Sequence, residues 1–174
     1  MTQLEYAKNN TLTPLMRLIA KSEGVREKLI LKHIKSGKVV VPKNRVHDLK
    51  RPCGIGLGLR TKINANIGTS TDKSAIGDEL KKLEIAVKYG ADTVMDLSEG
   101  GNPRKILEEI LKNSPIPVGT VPVYEIAVSA QEKKGDFLKF TKDDVLNTLE
   151  SQAREGVDFF TLHAGVTKKS LNTL

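Results

Sequence analysis

Four strand-like segments of the 174-residue chain each lead, at or just after their ends, to a side chain that could contact a small molecule. These side chains are Asn66, Met95, Tyr124 and His163. An amide, a phenol and an imidazole can hydrogen-bond a polar ligand, and a thioether can pack against a ligand ring. If the four segments are neighbouring parallel strands, their ends meet at one mouth, and the sequence predicts a small-molecule site there.

Each of these residues also has a purely structural interpretation. An isolated Asn such as Asn66 often caps a loop, and Met95 could simply fill the core. Asp96 could pair with a lysine, and Tyr124, which follows a proline closely, could lie in a surface turn. His163 could be a hydrogen-bonded core histidine, although the Ala-Gly pair after it would let a ligand approach closely. The convergence of four segment ends favours a site over these separate explanations.

The sequence limits the cofactors that the chain could hold by itself. Cys53 is the only cysteine, which excludes a disulfide and an iron–sulfur cluster ligated entirely by this chain. No H-x-H or H-E-x-x-H spacing occurs, so we expect no metal site within the chain. The glycines at 54, 56 and 58 resemble part of a dinucleotide motif, but a strand follows them and not a helix, which favours a turn.

The elements that would position these residues alternate regularly along the chain. Strand-like segments are predicted near 59–67, 92–97, 116–122 and 157–162. Amphipathic helices are predicted from about 74 to 89, from the Asn102-Pro103 pair onward, and from 141 to 156. Strands that alternate with amphipathic helices are typical of an α/β fold with a parallel sheet.

The length of the repeating part predicts half of a closed barrel. A complete (β/α)8 barrel needs about 250 residues, whereas this chain offers three βα units and a fourth strand. We therefore expect two regions: a short, mostly helical N-terminal region over 1–53, and a partial (β/α) barrel of about four strands over 54–174. In the first region, Thr13-Pro14 opens a helix that ends near Gly24, a second helix follows to about Ser36, and Val39–Val41 form a short β-type run.

Composition narrows the class of protein further. The formal net charge is +7, but the lysines are scattered, Trp is absent, and no basic stripe is interleaved with aromatic residues, so nucleic acid is not expected as a partner. No apolar run is long enough to span a membrane, and the first residues contain no apolar signal core. The expectation is a cytoplasmic protein that does not bind a membrane.

Several blocks of the sequence resemble one enzyme family closely. The start MTQLEYAK and the blocks KINANIGTS, GADTVMDLSEGG, SPIPVGTVPVYE and GVDFFTLHAGVT, in this order, look like the phosphomethylpyrimidine synthase (ThiC) family over essentially the whole chain. The resemblance implies thiamine biosynthesis and a central barrel. It also implies that Asn66, Met95, Tyr124 and His163 contact the substrate, 5-aminoimidazole ribonucleotide.

The same resemblance implies a radical reaction that this chain could not perform alone. Family members form the hydroxymethylpyrimidine phosphate of thiamine with S-adenosylmethionine, a 4Fe-4S cluster and a zinc-type divalent metal, as lyases. Their metal-binding histidines and C-x-x-C-x-x-x-x-C motif would lie beyond residue 174, so catalytic residues are not assigned here, and no cofactor is expected on this chain by itself.

Three alternatives therefore stay open at the level of sequence. The chain could be the N-terminal part of a phosphomethylpyrimidine synthase, a part of the related 5-hydroxybenzimidazole synthase, or a non-catalytic, truncated remnant. In each case we expect an incomplete barrel whose partner is its missing C-terminal half, a second subunit or another copy of itself. A homo-oligomer is expected.

Overall fold

The computed structural model describes residues 1–70 and 75–165. Its helices are α1 (Gln3–Lys8), α2 (Pro14–Glu23), α3 (Glu27–Lys35), α4 (Ile76–Lys88), α5 (Pro103–Asn113), α6 (Pro122–Lys134) and α7 (Lys142–Glu155). Its strands are β1 (Val39–Val40), β2 (Ile55–Gly56), β3 (Asn64–Ile67), β4 (Thr93–Asp96), β5 (Val118–Thr120) and β6 (Phe159–Phe160). The predicted helix start near residue 74 and the last two residues of the block at 156–167 lie outside the described residues.

The helices begin and end where local chemistry predicts. Thr13 accepts a hydrogen bond from the Met16 amide, Pro14 occupies the first turn, and Gly24 ends α2 in the left-handed conformation. Asn102 caps α5 in the same manner. Thr141 forms a capping box with Asp144 at the start of α7. Because these signals are local, the sequence located these three helices well.

The main sheet has four parallel strands in the order β3-β4-β5-β6. Each strand lies within one of the four predicted segments, which confirms the α/β class and the parallel sheet. Asn66 pairs with Met95, Met95 with Gly119, and Gly119 with Phe159, so these residues form one row across all four strands.

Helices cover only one face of this sheet. Ile67, Val94 and Val118 point to that face and join the buried core. The helices α4 and α5 contribute Leu83, Ile106, Leu107, Ile110 and Leu111 to the same core. Since strand residues alternate between faces, the row that contains Asn66 and Met95 lies on the opposite face, which carries no helix among the described residues.

The connection between β5 and β6 contains a helix that the sequence analysis missed. It expected Tyr124 at the end of a strand, but β5 ends at Thr120 and Tyr124 lies in the first turn of α6. Proline at the first helical position, Pro122, starts this helix. Helix α7 then packs against α6 and returns to the sheet, where Gln152 hydrogen-bonds Thr120.

A second core lies in the N-terminal part of the chain. Helices α1, α2 and α3 bury Ala7, Met16, Ile19, Ala20, Ile30 and Ile34 together with Val39 of β1. The two-stranded ladder of β1 and β2 closes this part, with Val39 opposite Gly56. A Cβ at Gly56 would lie 2.1 Å from the Lys38 carbonyl oxygen, so only glycine fits there. Among the described residues, no helix combines the length and apolarity needed to cross a membrane.

Candidate functional site

The uncovered side of the main sheet, which we call the open face, carries the strongest candidate site. It consists of Asn64 and Asn66 from β3, Thr93 and Met95 from β4, Gly119 from β5 and Phe159 from β6. Both asparagines are exposed, Met95 and Phe159 are half-buried, and Thr93 is buried. The face therefore offers amide groups, a thioether and an aromatic ring side by side.

The middle of the open face is apolar and closely packed. A Cβ at Gly119 would lie 2.3 Å from the ring of Phe159, which shows that this ring lies directly over the glycine. The hydroxyl of Thr161 donates to the sulfur of Met95 at 3.5 Å. Glycine at 119 thus lets an aromatic ring lie flat against the sheet beside Met95, and the two together form an apolar surface suited to a planar ligand.

The two asparagines of β3 are joined to β4 by hydrogen bonds on this face. Thr93 Oγ1 donates to Asn64 Oδ1 at 2.8 Å, and Asn64 Nδ2 donates to Asn66 Oδ1 at 2.8 Å. Asn66 is one of the predicted contact residues, whereas Asn64 is not. Alternation along the strand was the signal that could have found Asn64, because residues two apart share a face.

The four predicted contact residues all lie towards the carboxyl ends of the strands, but the structure brings only two of them into one row. Asn66 and Met95 are register partners on the open face. His163 lies three residues after the last residue of β6 and is exposed. Tyr124 is half-buried in the first turn of α6, on the helix side of the sheet.

Tyr124 lines a small cavity of about 20 Å³ with Asp96, Ser98, Thr120 and Gln152, at the carboxyl ends of β4 and β5. Gln152 fixes this corner, because its Oε1 accepts from Thr120 Oγ1 at 2.6 Å and its Nε2 donates to Glu125 Oε2 at 2.6 Å. The first turn of α6, and with it the backbone of Tyr124, is thereby tied to β5 and α7.

Asp96 forms hydrogen bonds within its own loop and not the lysine pair that sequence analysis considered. Its Oδ1 accepts from the Ser98 amide at 3.0 Å and from Ser98 Oγ at 2.5 Å. Burial raises the pKa of Asp96 to about 6, against the lowering effect of these hydrogen bonds, and the charge of Glu79 adds to the rise. Asp96 is therefore a carboxyl group whose ionisation is costly.

The loops after β3 and β4 are fastened to each other. The amide of Thr69 donates to Ser98 Oγ at 3.2 Å, and its hydroxyl donates to the Gly100 carbonyl at 2.8 Å. Buried Glu79 of α4 accepts from the Gly68 amide at 2.7 Å and from Lys82 Nζ at 2.6 Å. These bonds hold the carboxyl ends of the two strands that carry Asn66 and Met95 in a fixed relation.

A groove of about 500 Å³ runs along the amino-terminal end of the open face. Its lining includes Arg60, Lys62, Asn64, Met95 and Phe159. The two basic side chains in it are already paired: Arg60 contacts Asp92, and Lys62 lies 2.9 Å from Glu23. The groove could therefore bind a ligand by its shape and by hydrogen bonds more than by a net positive charge.

The described side chains do not by themselves make up a site for an iron–sulfur cluster or a zinc ion. Cys53 is buried, and burial raises the pKa of its thiol to about 11, whereas a cluster needs several thiolates. Nowhere in 1–70 and 75–165 do three or more His, Cys, Asp or Glu side chains gather as metal ligands would.

The fold and the open face together define an α/β chain with a parallel sheet that presents ligand-type side chains at its carboxyl ends. The family model of the radical SAM ThiC family matches residues 2–174. The chain belongs to this family, as the blocks quoted above predicted.

Several curated relatives, each named phosphomethylpyrimidine synthase, support this assignment. The Thermodesulfovibrio yellowstonii protein is 52% identical over 174 residues, which are 100% of this chain and 41% of that protein. The Dehalococcoides mccartyi protein is 49% identical over 173 residues, 99% of this chain and 40% of the relative. The Methanococcus aeolicus protein is 49% identical over 174 residues, 100% of this chain and 41% of the relative. The chain thus spans about two fifths of the length of the relatives it matches.

Proposed function

We propose that this chain supplies one side of the substrate pocket of a phosphomethylpyrimidine synthase in thiamine biosynthesis. The complete enzyme would be a lyase that rearranges 5-aminoimidazole ribonucleotide into hydroxymethylpyrimidine phosphate. The observation that carries the proposal is the register pairing of Asn66 with Met95 on the open face, in a chain of the ThiC family. An amide beside a thioether and an aromatic ring suits a flat, polar heterocycle.

Each predicted contact residue has a role in this proposal. Asn66 hydrogen-bonds the ribonucleotide, and Met95 packs against its ring. His163, exposed just after β6, donates a hydrogen bond to an anionic or ring acceptor. Tyr124 lies on the helix side of the sheet, so its contact with the substrate would pass around the carboxyl end of β5, from the first turn of α6 that Gln152 holds in place. These residues bind and orient the substrate, and the radical chemistry belongs to the remaining part of the enzyme.

The architecture that we propose for the complete enzyme is a closed (β/α)8 barrel. The four parallel strands described here would be its first half, and the open face would become the inner wall. Two features support this interpretation: the helices lie on one face only, and β6 has a ladder partner on one side only among the described residues. Strands from the unmatched part of the family fold would pair with β6 and enclose the polar row.

The cofactors of the reaction would come from outside this chain. In the complete enzyme, S-adenosylmethionine and a reduced 4Fe-4S cluster would supply the radical, and the divalent metal would be zinc-like. Since Cys53 and the described side chains fit neither metal group, we assign the cluster and the divalent metal to the segment that corresponds to the rest of the relatives. We place the activity in the cytoplasm, where nucleotide precursors and S-adenosylmethionine are available.

A chimeric enzyme tests this proposal. In the chimera, residues 1–174 of this chain replace the matched region of the Thermodesulfovibrio yellowstonii protein, to which they are 52% identical. The cluster of the chimera is reconstituted anaerobically with iron and sulfide. With S-adenosylmethionine and a reductant added, the chimera should then convert 5-aminoimidazole ribonucleotide, and mass spectrometry should detect the pyrimidine phosphate. A correctly folded, cluster-loaded chimera that forms no product would refute the proposal, provided that the unaltered relative is active in the same assay.

A further inference from the structure

We propose that Asn64 is a positioning residue that locks the side-chain amide of Asn66 as a hydrogen-bond donor, so that the ligand of the open face must present an acceptor atom to it. The inference rests on the proposed function for the identity of the ligand. It adds two residues, Asn64 and Thr93, to the site. It also specifies that Asn66 is the donor and the ligand the acceptor in their hydrogen bond.

The lock is a chain of two hydrogen bonds that crosses from β4 to β3. Asn64 and Thr93 are register partners, and Asn64 and Asn66 are two residues apart on the same strand. The distance from Thr93 Oγ1 to Asn64 Oδ1 is 2.8 Å, and that from Asn64 Nδ2 to Asn66 Oδ1 is also 2.8 Å. All three side chains therefore lie on the open face, and Asn64 is hydrogen-bonded to both Thr93 and Asn66.

The direction of this chain follows from the burial of Thr93. A side-chain amide can be turned around, so distances alone would also fit the reverse arrangement, in which Thr93 accepts. Thr93 is only 3% exposed, and its hydroxyl makes no other hydrogen bond to a described residue. In the reverse arrangement its buried proton would have no acceptor, which is unfavourable. The hydroxyl therefore donates to Asn64, and Asn64 must then donate to Asn66.

This direction determines which group Asn66 can offer to a ligand. Because its Oδ1 already accepts from Asn64, the group that it can offer to a ligand is Nδ2 with its two N–H donors. Asn66 is exposed on the open face, and no described residue accepts from Nδ2. Of the groups on 5-aminoimidazole ribonucleotide, a ring nitrogen, a hydroxyl or a phosphate oxygen can face this amide, and the exocyclic amine cannot.

Substitutions in the chimera test the lock through ligand binding. Asn64→Asp keeps the shape but can only accept, so Asn66 must turn around and present its oxygen to the ligand. Thr93→Val removes the hydroxyl that sets the direction, whereas Thr93→Ser keeps it. Asn147→Asp, on the exposed surface of α7, controls for the added charge. The dissociation constant of 5-aminoimidazole ribonucleotide is measured by calorimetry, together with the melting temperature.

The lock predicts a specific pattern of affinities. Asn64→Asp should weaken binding about tenfold or more, because an acceptor of the ligand then faces an oxygen. Thr93→Val should weaken it less, Thr93→Ser should bind like the parent, and Asn147→Asp should have no effect. Thr93→Val added to Asn64→Ala should cause no further loss, because Thr93 acts only through Asn64. Unchanged affinity in Asn64→Asp, or an additive loss in the double variant, would overturn the inference.

A ligand-free measurement separates this inference from the proposed function. In the chimera labelled with ¹⁵N-asparagine, the Asn66 side-chain amide should exchange its hydrogens rapidly, and that of Asn64 more slowly. Asn64→Asp should slow exchange at Asn66, which then donates to the new carboxylate. If the chimera failed to bind the ribonucleotide, the proposed function would be refuted. The exchange rates would still test whether Asn64 holds Asn66 as a hydrogen-bond donor. Slower exchange at Asn66 than at Asn64 in the parent protein, or unchanged exchange at Asn66 in Asn64→Asp, would overturn the inference.

Discussion

His47 and Asp158, which are 111 residues apart in the chain, form a buried ion pair, with 2.6 Å between His47 Nδ1 and Asp158 Oδ2. The other ring nitrogen of His47 lies 3.1 Å from the Ser114 carbonyl oxygen. Since both partners are acceptors, both ring nitrogens donate and the imidazole carries a proton on each. Asp158 also accepts from the amides of Asn44 and Val118, at 2.6 and 2.8 Å. The pair therefore fastens the segment before β2 to the strands β5 and β6.

The first prediction concerns the pH dependence that this pair imposes. Burial alone lowers the pKa of His47, but its hydrogen bond to Asp158, the Asp158 charge and the Ser114 carbonyl together raise this pKa above the ordinary histidine value of 6.5. Because the pKa of His47 is higher in the folded than in the unfolded protein, the protonated imidazole stabilises the fold. This stabilisation is complete below about pH 6.5 and is lost as the pH rises through the folded-state pKa. The melting temperature of the chimera should fall across this range.

His47→Gln is the matched variant for that measurement. It should melt at a lower temperature at pH 6, because removing one partner of a buried pair costs about 3–5 kcal/mol. The difference from the parent protein should narrow as the pH rises. A difference that stays constant from pH 5.5 to 8.5 would contradict the protonated pair.

The second prediction concerns the ionisation of Asp96. Its pKa is raised to about 6, mainly by burial, so its contribution to stability is full below about pH 3.8 and is lost as the pH rises through 6. Asp96→Asn keeps an acceptor for Ser98 and removes the cost of the charge. The variant should be more stable than the parent at pH 7.5, by at most about 3 kcal/mol, and equally stable near pH 4.

Thermal melting at the two pH values measures this difference. Ser98→Ala is the companion variant, because it removes one hydrogen bond to Asp96 and leaves the carboxyl group buried. It also removes the acceptor of the Thr69 amide, and this loss is the same at both pH values. It should destabilise the protein more at pH 7.5 than at pH 4. A destabilised Asp96→Asn protein at pH 7.5 would mean that the charged form is favoured in the folded state.

The third prediction is that the 174-residue chain binds no iron–sulfur cluster by itself. Its single cysteine, Cys53, is buried, and the pKa of its thiol is raised to about 11 by burial. The thiol should react with a disulfide reagent at pH 8 only after denaturation. Anaerobic reconstitution should give no stoichiometric iron or sulfide, and a stoichiometric cluster on the folded chain would refute this prediction.

The fourth prediction concerns association of the 174-residue chain. Strand β6 pairs only with β5 among the described residues, and the open face exposes polar and aromatic groups that a closed barrel would cover. Bare parallel edges of this kind favour pairing with another chain. Light scattering over a dilution series should reveal oligomers or aggregates, whereas the chimera should give defined particles. A monodisperse monomer at micromolar concentration would contradict the half-barrel proposal.

The elements with local signals were predictable from the sequence. The four parallel strands lie in alternating or apolar segments, and helices such as α5 and α7 carry capping residues that mark where they begin. Helix α6 has no such side-chain cap, and its apolar residues do not form a single stripe, so the sequence does not separate its first turn from the preceding strand. The predicted strand-end position of Tyr124 is wrong for this reason.

Contacts between distant residues could not be predicted in the same way. The pairing of His47 with Asp158 depends on how the polar segment before β2 packs against the sheet, and no spacing in the sequence predicts it. Thr93 could be joined to Asn64 only once the register of β3 and β4 was known. Asn66 and Met95 belong to the same ladder, but the expectation that parallel strand ends meet already placed these two residues close together without their exact register.

The measurement that tests the central claim most directly is the binding of 5-aminoimidazole ribonucleotide to the chimera and its variants. Asn66→Ala and His163→Ala should each weaken binding or turnover about tenfold or more, and both should melt within a few degrees of the parent, because both side chains are exposed. Asn147→Ala on α7 should change neither property. If Asn66→Ala and His163→Ala bind and convert the ribonucleotide as the parent does, the open face is not the substrate face.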